Sequence, residues 1–360
     1  MLIPAVGNAT GVIRKIHNME KFDVIIVGGG SAGLQCARVL SQSDLRILLL
    51  EKDDQFGDKL CAGGLTLKGM RILELPDHVI EYKITRAAIS SRRWRADTVV
   101  STPYLFTVNR KELGAYQRQL LDETSVEIKT NSQVTGIDPE SVTLQDGSKY
   151  GYRYLVGADG YASIVRRYLN LKVRKKLIGF QYTIPVKEVD PVVEIFLDAR
   201  RFHVWYAWTF PHRNSMAVGC CCNPDQVDHQ RIKGAFHDWL KKMNIDPGGA
   251  KLESYPIAYD YQGFRFGNIF LAGEAAGLAS GFTGEGVYQA LASGQDIARI
   301  IMDPAHKPDL LDQALKYNRT LERVMNIFRL AGPVRGSLQE LLVYLMTRKR
   351  LRTRINAEFS

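Results

Sequence analysis

Long apolar runs are missing from this chain. No stretch approaches the roughly 18 consecutive apolar residues that span a bilayer; runs such as Val24 to Val27 and Ile47 to Leu50 are the length of strands. Cysteine is scarce and badly spaced for chemistry. The five cysteines (Cys36, Cys61, Cys220, Cys221 and Cys222) are odd in number, form no CxxC pair and include a consecutive triplet. That argues against a disulfide framework or a zinc site and for a reducing compartment, so no metal is expected. Internal repeats and low-complexity segments are absent. Residues 1–18 lack a long apolar core followed by a cleavage site, so a signal peptide is not expected and they are set aside as an N-terminal extension. No binding motif accompanies the basic charge, so nucleic acid is not an expected partner. The expected location is cytoplasmic, at most with a peripheral contact at a membrane.

What is present is a chain of 360 residues with a net charge of +10, long enough for a large core and for two domains. The charge is uneven: Lys172, Arg174, Lys175 and Lys176 form one cluster, and Arg348, Lys349, Arg350, Arg352 and Arg354 form another. Such clusters serve as solvated faces, or attract anionic lipid or an acidic protein.

The first motif is Phe22-Asp-Val-Ile-Ile-Val-Gly-Gly-Gly-Ser-Ala-Gly, which reads as strand, tight turn and helix. Gly28, Gly30 and Gly33 fill a GxGxxG frame around Ser31 and Ala32. The first glycine permits the turn, the second admits a pyrophosphate and the third lets helix and strand pack closely. A second strand ends in Glu51, 18 residues after Gly33, where a carboxylate can accept hydrogen bonds from an adenosine ribose. Together these features predict dinucleotide binding.

Gly57-Asp-Lys-Leu-Cys-Ala-Gly-Gly-Leu reads as a loop near the ligand, with Cys61 either a small buried residue or a functional group. Residues 80–108 look β-rich. A helix then starts at Asn109, and its Arg110 is a candidate partner for a phosphate or a ring system, or a solvated helix-start arginine. Asp146-Gly147 marks a hairpin turn. The second motif, Gly157-Ala-Asp-Gly-Tyr-Ala-Ser-Ile-Val-Arg-Arg, holds Asp159 between glycines at a strand end, where it can bind hydroxyls of a sugar or ribityl chain.

Residues 178–262 suggest a largely antiparallel region, with strands at 181–186, 192–197, 203–210 and 215–222. Period-2 alternation puts Tyr206, Trp208 and Phe210 on one face, either as core or as the wall of an apolar pocket. The third motif is Gly267-Asn-Ile-Phe-Leu-Ala-Gly-Glu-Ala-Ala-Gly, followed by Phe282-Thr-Gly-Glu-Gly-Val. A buried strand, Glu274 and a loop lead into a helix opened by Thr283, Gly284, Glu285 and Gly286, with Val287 following. Its free N–H groups and partial positive charge suit an anionic or polar ring. Two more helices are expected at 310–327 and 337–355.

These three motifs, in this order, resemble the FAD-dependent oxidoreductases built like p-hydroxybenzoate hydroxylase, in which the three segments converge on one FAD. Three further matches resemble the geranylgeranyl reductase family: Lys59-Leu-Cys-Ala-Gly-Gly-Leu, Tyr206-Ala-Trp-Thr-Phe-Pro and Gly281-Phe-Thr-Gly-Glu-Gly. The resemblance covers residues 20–300 by eye. It implies an α/β fold: a Rossmann-like FAD-binding domain, an antiparallel β-sheet substrate domain and C-terminal helices. The FAD-binding domain is expected to be discontinuous (19–60, 105–170 and 263–300). The substrate domain would be 61–104 and 171–262, and the helical segment 301–360.

By the same resemblance, Gly28, Gly30 and Gly33 would meet the pyrophosphate, Glu51 the adenosine ribose, and Arg110 would lie along the cofactor. Asp159 and Glu274 would border the pyrophosphate or ribityl chain, and the backbone from Thr283 to Val287 would face the flavin. The family usually has aspartate where this chain has Glu274, so the reach there grows by one methylene. The implied activity is reduction of C=C bonds in a polyprenyl chain, with Tyr206, Trp208 and Phe210 lining the pocket and Cys61 as the candidate catalytic group beside the flavin. Electrons would come from NADPH or from reduced ferredoxin, a small acidic carrier docking on the basic surface. Alternatives are an FAD monooxygenase or halogenase, and an electron-transfer flavoprotein acting on quinone.

Overall fold

The computed structural model describes residues 19–348. The N-terminal extension and the C-terminal cluster from Lys349 onward lie outside the described residues. The first motif folds as the strand Glu20–Val27, a glycine turn and the helix Ser31–Leu40, followed by the strand Ile47–Leu50. Ile25 and Ile26, and all of Ile47–Leu50, are buried. A strand covered on both faces reads as a continuous apolar run, without alternation.

These strands belong to an eight-stranded sheet. Its path runs Arg265–Phe266, Ile269–Leu271, Lys149–Gly157, Glu20–Val27, Ile47–Leu50 and Glu127–Lys129, with the strands Val134–Asp138 and Ser141–Leu144 branching from Lys149–Gly157. The five from Ile269–Leu271 to Glu127–Lys129 are parallel. Val27 is in register with both Leu50 and Gly157, and Gly157 with Leu271. The segments carrying Gly28, Glu51, Asp159 and Glu274 therefore all leave the sheet at one carboxyl edge, where open α/β sheets bind ligands. Gly147, at φ 86°, makes the hairpin turn into Lys149–Gly157.

The remaining strands form two further sheets. A seven-stranded one runs Glu253–Ala258, Lys176–Pro185, Ser215–Cys222, Tyr206–His212, Val192–Leu197, Arg86–Ser90 and Arg95–Val99. It is antiparallel except where Val192–Leu197 lies parallel to Arg86–Ser90. A three-stranded sheet joins Gly64–Thr66, Leu105–Val108 and Ile80–Ile84. Residues 105–108, expected with the cofactor-binding segments, thus pair with residues 64–66 and 80–84 instead. A second difference lies at 203–205. The chain forms a short helix, Ala199–Phe202, because the Asp198 carboxylate accepts from the Arg200 N–H and caps it. His203 then turns through φ 60°, and the strand starts only at Tyr206.

The three consecutive cysteines alternate across their strand. Cys220 and Cys222 pack with Phe180 and Phe236, whereas Cys221 faces Trp205 and Phe328. The C-terminal helices are Asp309–Leu330 and Arg335–Met346. Beyond residue 348, the expected helix lies outside the described residues. No described helix is long and apolar enough to cross a membrane.

The helix Val287–Met302 lies against Ser31–Leu40. At their crossing a Cβ on Gly294 would sit 2.3 Å from the Ala32 carbonyl oxygen, which is backbone and has no room to yield. Gly294→Val should therefore cost about 3 kcal/mol of stability, read as a lowered midpoint of urea unfolding. A midpoint equal to that of the unmodified protein would refute this packing.

Candidate active site

The glycines of the first motif have different jobs. A Cβ on Gly28 would lie 2.5 Å from the Ala158 carbonyl oxygen, and one on Gly33 would lie 2.0 Å from that of Gly28. These two are demanded by the fold itself. Gly30 is not: the nearest atom to its Cβ would be 4.0 Å away, so its open side is free for a ligand. The helix Ser31–Leu40 that follows has no side-chain cap and no acid in its first turn. Its N–H groups suit an anion.

Arg110 reaches the same point. Asn109 caps the helix Arg110–Gln119 by accepting from Lys111 N at 2.9 Å, and Arg110 Nη1 then donates to Ser31 Oγ at 3.1 Å. Ala32 is buried behind them. Glu51, also buried, accepts from Gly29 N at 2.5 Å and from Asp53 N at 3.0 Å, so its carboxylate stands beside the glycine turn.

Asp159 uses one oxygen: Oδ2 accepts from Ile164 N at 2.7 Å. Its Oδ1 is buried with no partner. Burial pushes this carboxyl above its ordinary pKa, against the hydrogen bonds that favour the ion. Glu274 is more fully engaged. One oxygen pairs with the Lys59 ammonium and the other accepts from Ala258 N at 3.1 Å. Lys59 also lies 4.5 Å from the centre of the Tyr255 ring. Burial alone would depress the lysine, but Glu274, together with Tyr255 and Cys61, holds its pKa above the usual value. Glu274 thus offers a ligand only its remaining lone pairs.

In the third motif, Gly284 turns through φ 69° and Gly286 begins the helix Val287–Met302, again with no side-chain cap. Between them stands Glu285, which is partly buried. It accepts from Thr66 Oγ1 at 3.2 Å, and Tyr317 lies near its carboxylate. Burial raises its carboxyl pKa, and Lys68, which lies over the Tyr317 ring at 4.8 Å, offsets this in part.

The aromatic strand meets this loop. Tyr206 donates its hydroxyl to the Thr283 carbonyl at 3.0 Å, and Trp205 donates its indole N–H to that of Gly281 at 3.0 Å. Tyr206 makes edge contacts with both Trp208 and Phe282, each at 6.2 Å between centroids. Trp208 covers Gly219 and Phe210 covers Gly64 so closely that a Cβ at either glycine would clash. The Trp208 indole nitrogen is buried without a partner.

Cys61 sits on the loop opposite, partly buried, its Sγ 3.4 Å from Gly63 N. Gln181 donates to the Cys61 carbonyl at 3.2 Å, and His212 bonds the Ala62 carbonyl at 3.0 Å through Nε2 while its Nδ1 meets the Glu81 carboxylate. Among the described residues no group of three His, Cys, Asp or Glu side chains is arranged to hold a metal.

The structure thus brings Gly28–Gly33, Glu51, Arg110, Asp159 and Glu274 to one sheet edge. It joins Tyr206 to the loop carrying Glu285 and stands Phe210 beside the Cys61 loop. Sequence reasoning passed over Lys59, His212, Trp205 and Tyr317. His212 was within reach, since it continues the 206, 208, 210 alternation by one step. Tyr317 lies 32 residues beyond Glu285 on another helix, with no local signal.

Known proteins share this organisation. The FAD binding domain family matches residues 21–321. A geranylgeranyl diphosphate reductase of Rhodobacter capsulatus is 26% identical over 78% of this chain and 75% of its own. A digeranylgeranylglycerophospholipid reductase of Methanococcoides burtonii is 24% identical over 83% and 79%. A crystal structure of a geranylgeranyl bacteriochlorophyll reductase-like protein from Thermoplasma acidophilum superposes with a TM-score of 0.78 over 92% of each chain at 18% identity, which is a likeness of fold. Three separated motifs on one sheet edge, matched along most of the chain, make this protein a member of the FAD binding domain family and a geranylgeranyl-reductase-like FAD-dependent oxidoreductase.

Proposed function

We propose that the protein reduces C=C bonds in a polyprenyl chain, using FAD held at the carboxyl edge of the parallel sheet. The observation that carries this reading is the meeting of the aromatic strand with the Gly281–Gly286 loop, where Tyr206 holds the Thr283 carbonyl and packs on Phe282 beside the partly buried Glu285, whose carboxyl pKa burial raises. An isolated alkene needs a proton donor in a dry apolar pocket, and a carboxyl with a raised pKa is such a donor.

The residues suit the cofactor. The open side of Gly30, the Arg110–Ser31 pair and the orphan Asp159 Oδ1 are what a pyrophosphate and a ribityl chain would complete. In this reading Gly28, Gly30, Ser31, Ala32 and Gly33 hold the pyrophosphate with Arg110, and Glu51 takes the adenosine ribose. Asp159, with the free lone pairs of Glu274, borders the ribityl chain. The backbone of Gly284, Glu285, Gly286 and Val287 faces the ring, where N–H groups stabilise negative charge. Reduced flavin supplies the hydride.

The chain's own residues do the rest. Tyr206, Trp208 and Phe210 exclude water and align the prenyl chain. Cys61 fixes the near end of the substrate beside the ring. Glu285 holds the proton on its carboxyl until the alkene takes it. Electrons reach the site from NADPH or from an acidic carrier of the ferredoxin type.

Three outcomes are expected. Anaerobic incubation of the reduced protein with a panel of prenyl substrates should give a product two hydrogens heavier per bond reduced. Hydroxylated product with oxygen uptake would point to a monooxygenase or halogenase, and quinone reduction without alkene turnover to an electron-transfer flavoprotein. Gly30→Ala should leave the stability of the apoprotein within about 1 kcal/mol yet weaken FAD binding at least about tenfold, as read by fluorescence titration. Unchanged affinity would remove Gly30 from the cofactor site. The raised pKa of Glu285 keeps it protonated to higher pH than an exposed glutamate, so turnover should fall as pH rises through that value. Glu285→Gln should slow turnover about 100-fold and flatten that limb with FAD content intact. A variant that keeps the limb would assign the proton to another group.

A further inference from the structure

Where the helix Asp309–Leu330 ends and Arg335–Met346 follows, several apolar side chains are left exposed by the described residues. Leu330 is 83% exposed, Val334 62%, Ile327 59% and Leu341 51%. They are not scattered. Arg323, Ile327 and Leu330 follow one another at spacings of four and three on one face of the first helix. Val334, at the end of the turn Gly332–Val334, and Leu341 stand seven apart leading into and along the next helix, and Tyr344 lies one turn on from Leu341. Exposed Trp94 packs on Tyr344 at 4.8 Å between ring centroids.

The unpaired charge around this strip is basic, since Glu322 is taken up by Lys175 at 2.7 Å. Arg92, Arg93, Arg323, Arg329 and Arg348 are exposed. Arg323 and Arg329 form no ion pair among the described residues. Glu340 spends its carboxylate on Ser91 Oγ and Arg92 N. The turn between the helices is tied down, since Arg335 donates to the Phe328 and Arg329 carbonyls at 2.7 and 3.2 Å. The opposite side of the same helix end faces the site: Phe328 stacks on Phe282 of the Gly281–Gly286 loop at 6.4 Å, in a cluster with Trp205 and Met325. One helix, roughly 10 Å thick, therefore separates the exposed strip from the aromatic pocket.

We propose that this strip is a docking surface for an anionic lipid bilayer, with Leu330 and Val334 entering the acyl boundary and the arginines meeting lipid phosphates. Apolar side chains rimmed by cations, with an aromatic ring at the edge, form the pattern of an interfacial contact. It deepens the reading of a polyprenyl substrate by naming where such a chain leaves the lipid phase.

The test is flotation of the purified holoprotein with vesicles of pure phosphatidylcholine or of phosphatidylcholine mixed with phosphatidylglycerol. The protein should float with the anionic vesicles, and less at high salt. The double variant Leu330→Ser, Val334→Ser should lower the partition coefficient at least about tenfold while keeping bound FAD and its oligomeric state. Failure of the parent protein to float, or equal flotation of the variant, would overturn the proposal. So would a shift from dimer to monomer in the variant, which would make a second copy of the chain the occupant. Because no substrate is present, the result is separate from the reductase assay. A protein that floats but reduces no alkene refutes only the activity, and one that reduces a detergent-dispersed prenyl substrate without floating refutes only the docking.

Discussion

At Gly294 the backbone of the helix Val287–Met302 rests against the Ala32 carbonyl of the helix Ser31–Leu40, closer than any side chain permits. The contact is reinforced on both sides. Gly273 N donates to Ser293 Oγ at 2.9 Å, and Gln35 donates to Gln295 at 2.9 Å. A Cβ on Gly273 would press on both Ala32 and Ala290. These links join the beginning of the described chain to its last third, so the two uncapped helix starts are fixed relative to each other before any ligand arrives. Preorganised donors of this kind need no rearrangement when charge appears between them.

The charged groups at the sheet edge divide into those already satisfied and those left waiting. Glu274 is held by Lys59 and Ala258, whereas Arg166, buried in an ion pair with Asp260 through Nη2, leaves its Nη1 without a partner. Asp159 keeps a buried oxygen with no partner, and the Trp208 indole N–H is in the same position. Native interiors rarely leave such groups unpaired, and Asp159 is the one of these that also stands at the carboxyl edge beside the glycine turn.

Much of this was legible in the sequence because it is local. A glycine pattern between a strand and a helix, an acid after the next strand, and a carboxylate between glycines all announce themselves within a few residues. The parallel order of the strands follows from the same units. The sequence was silent where partners meet from afar. Glu285 depends on Thr66 and Tyr317, and the Cys61 loop on Gln181, His212 and Glu81, all distant in the chain. The expected strand over 203–210 began late because a single aspartate, Asp198, caps a helix just before it. The extra methylene of Glu274 became explicable only when Lys59 was seen to receive it.

The buried run Cys220–Cys222 bears on how such a protein survives its own chemistry. Reduced flavin exposed to oxygen releases peroxide, which attacks thiolates and spares thiols. Desolvation pushes Cys222 up to about 11 and Cys36, Cys220 and Cys221 further. These four sulfurs stay in the unreactive form inside the core. Oxidative wear is thereby directed to the partly exposed Cys61, on the loop opposite the aromatic strand, and away from the core of the scaffold.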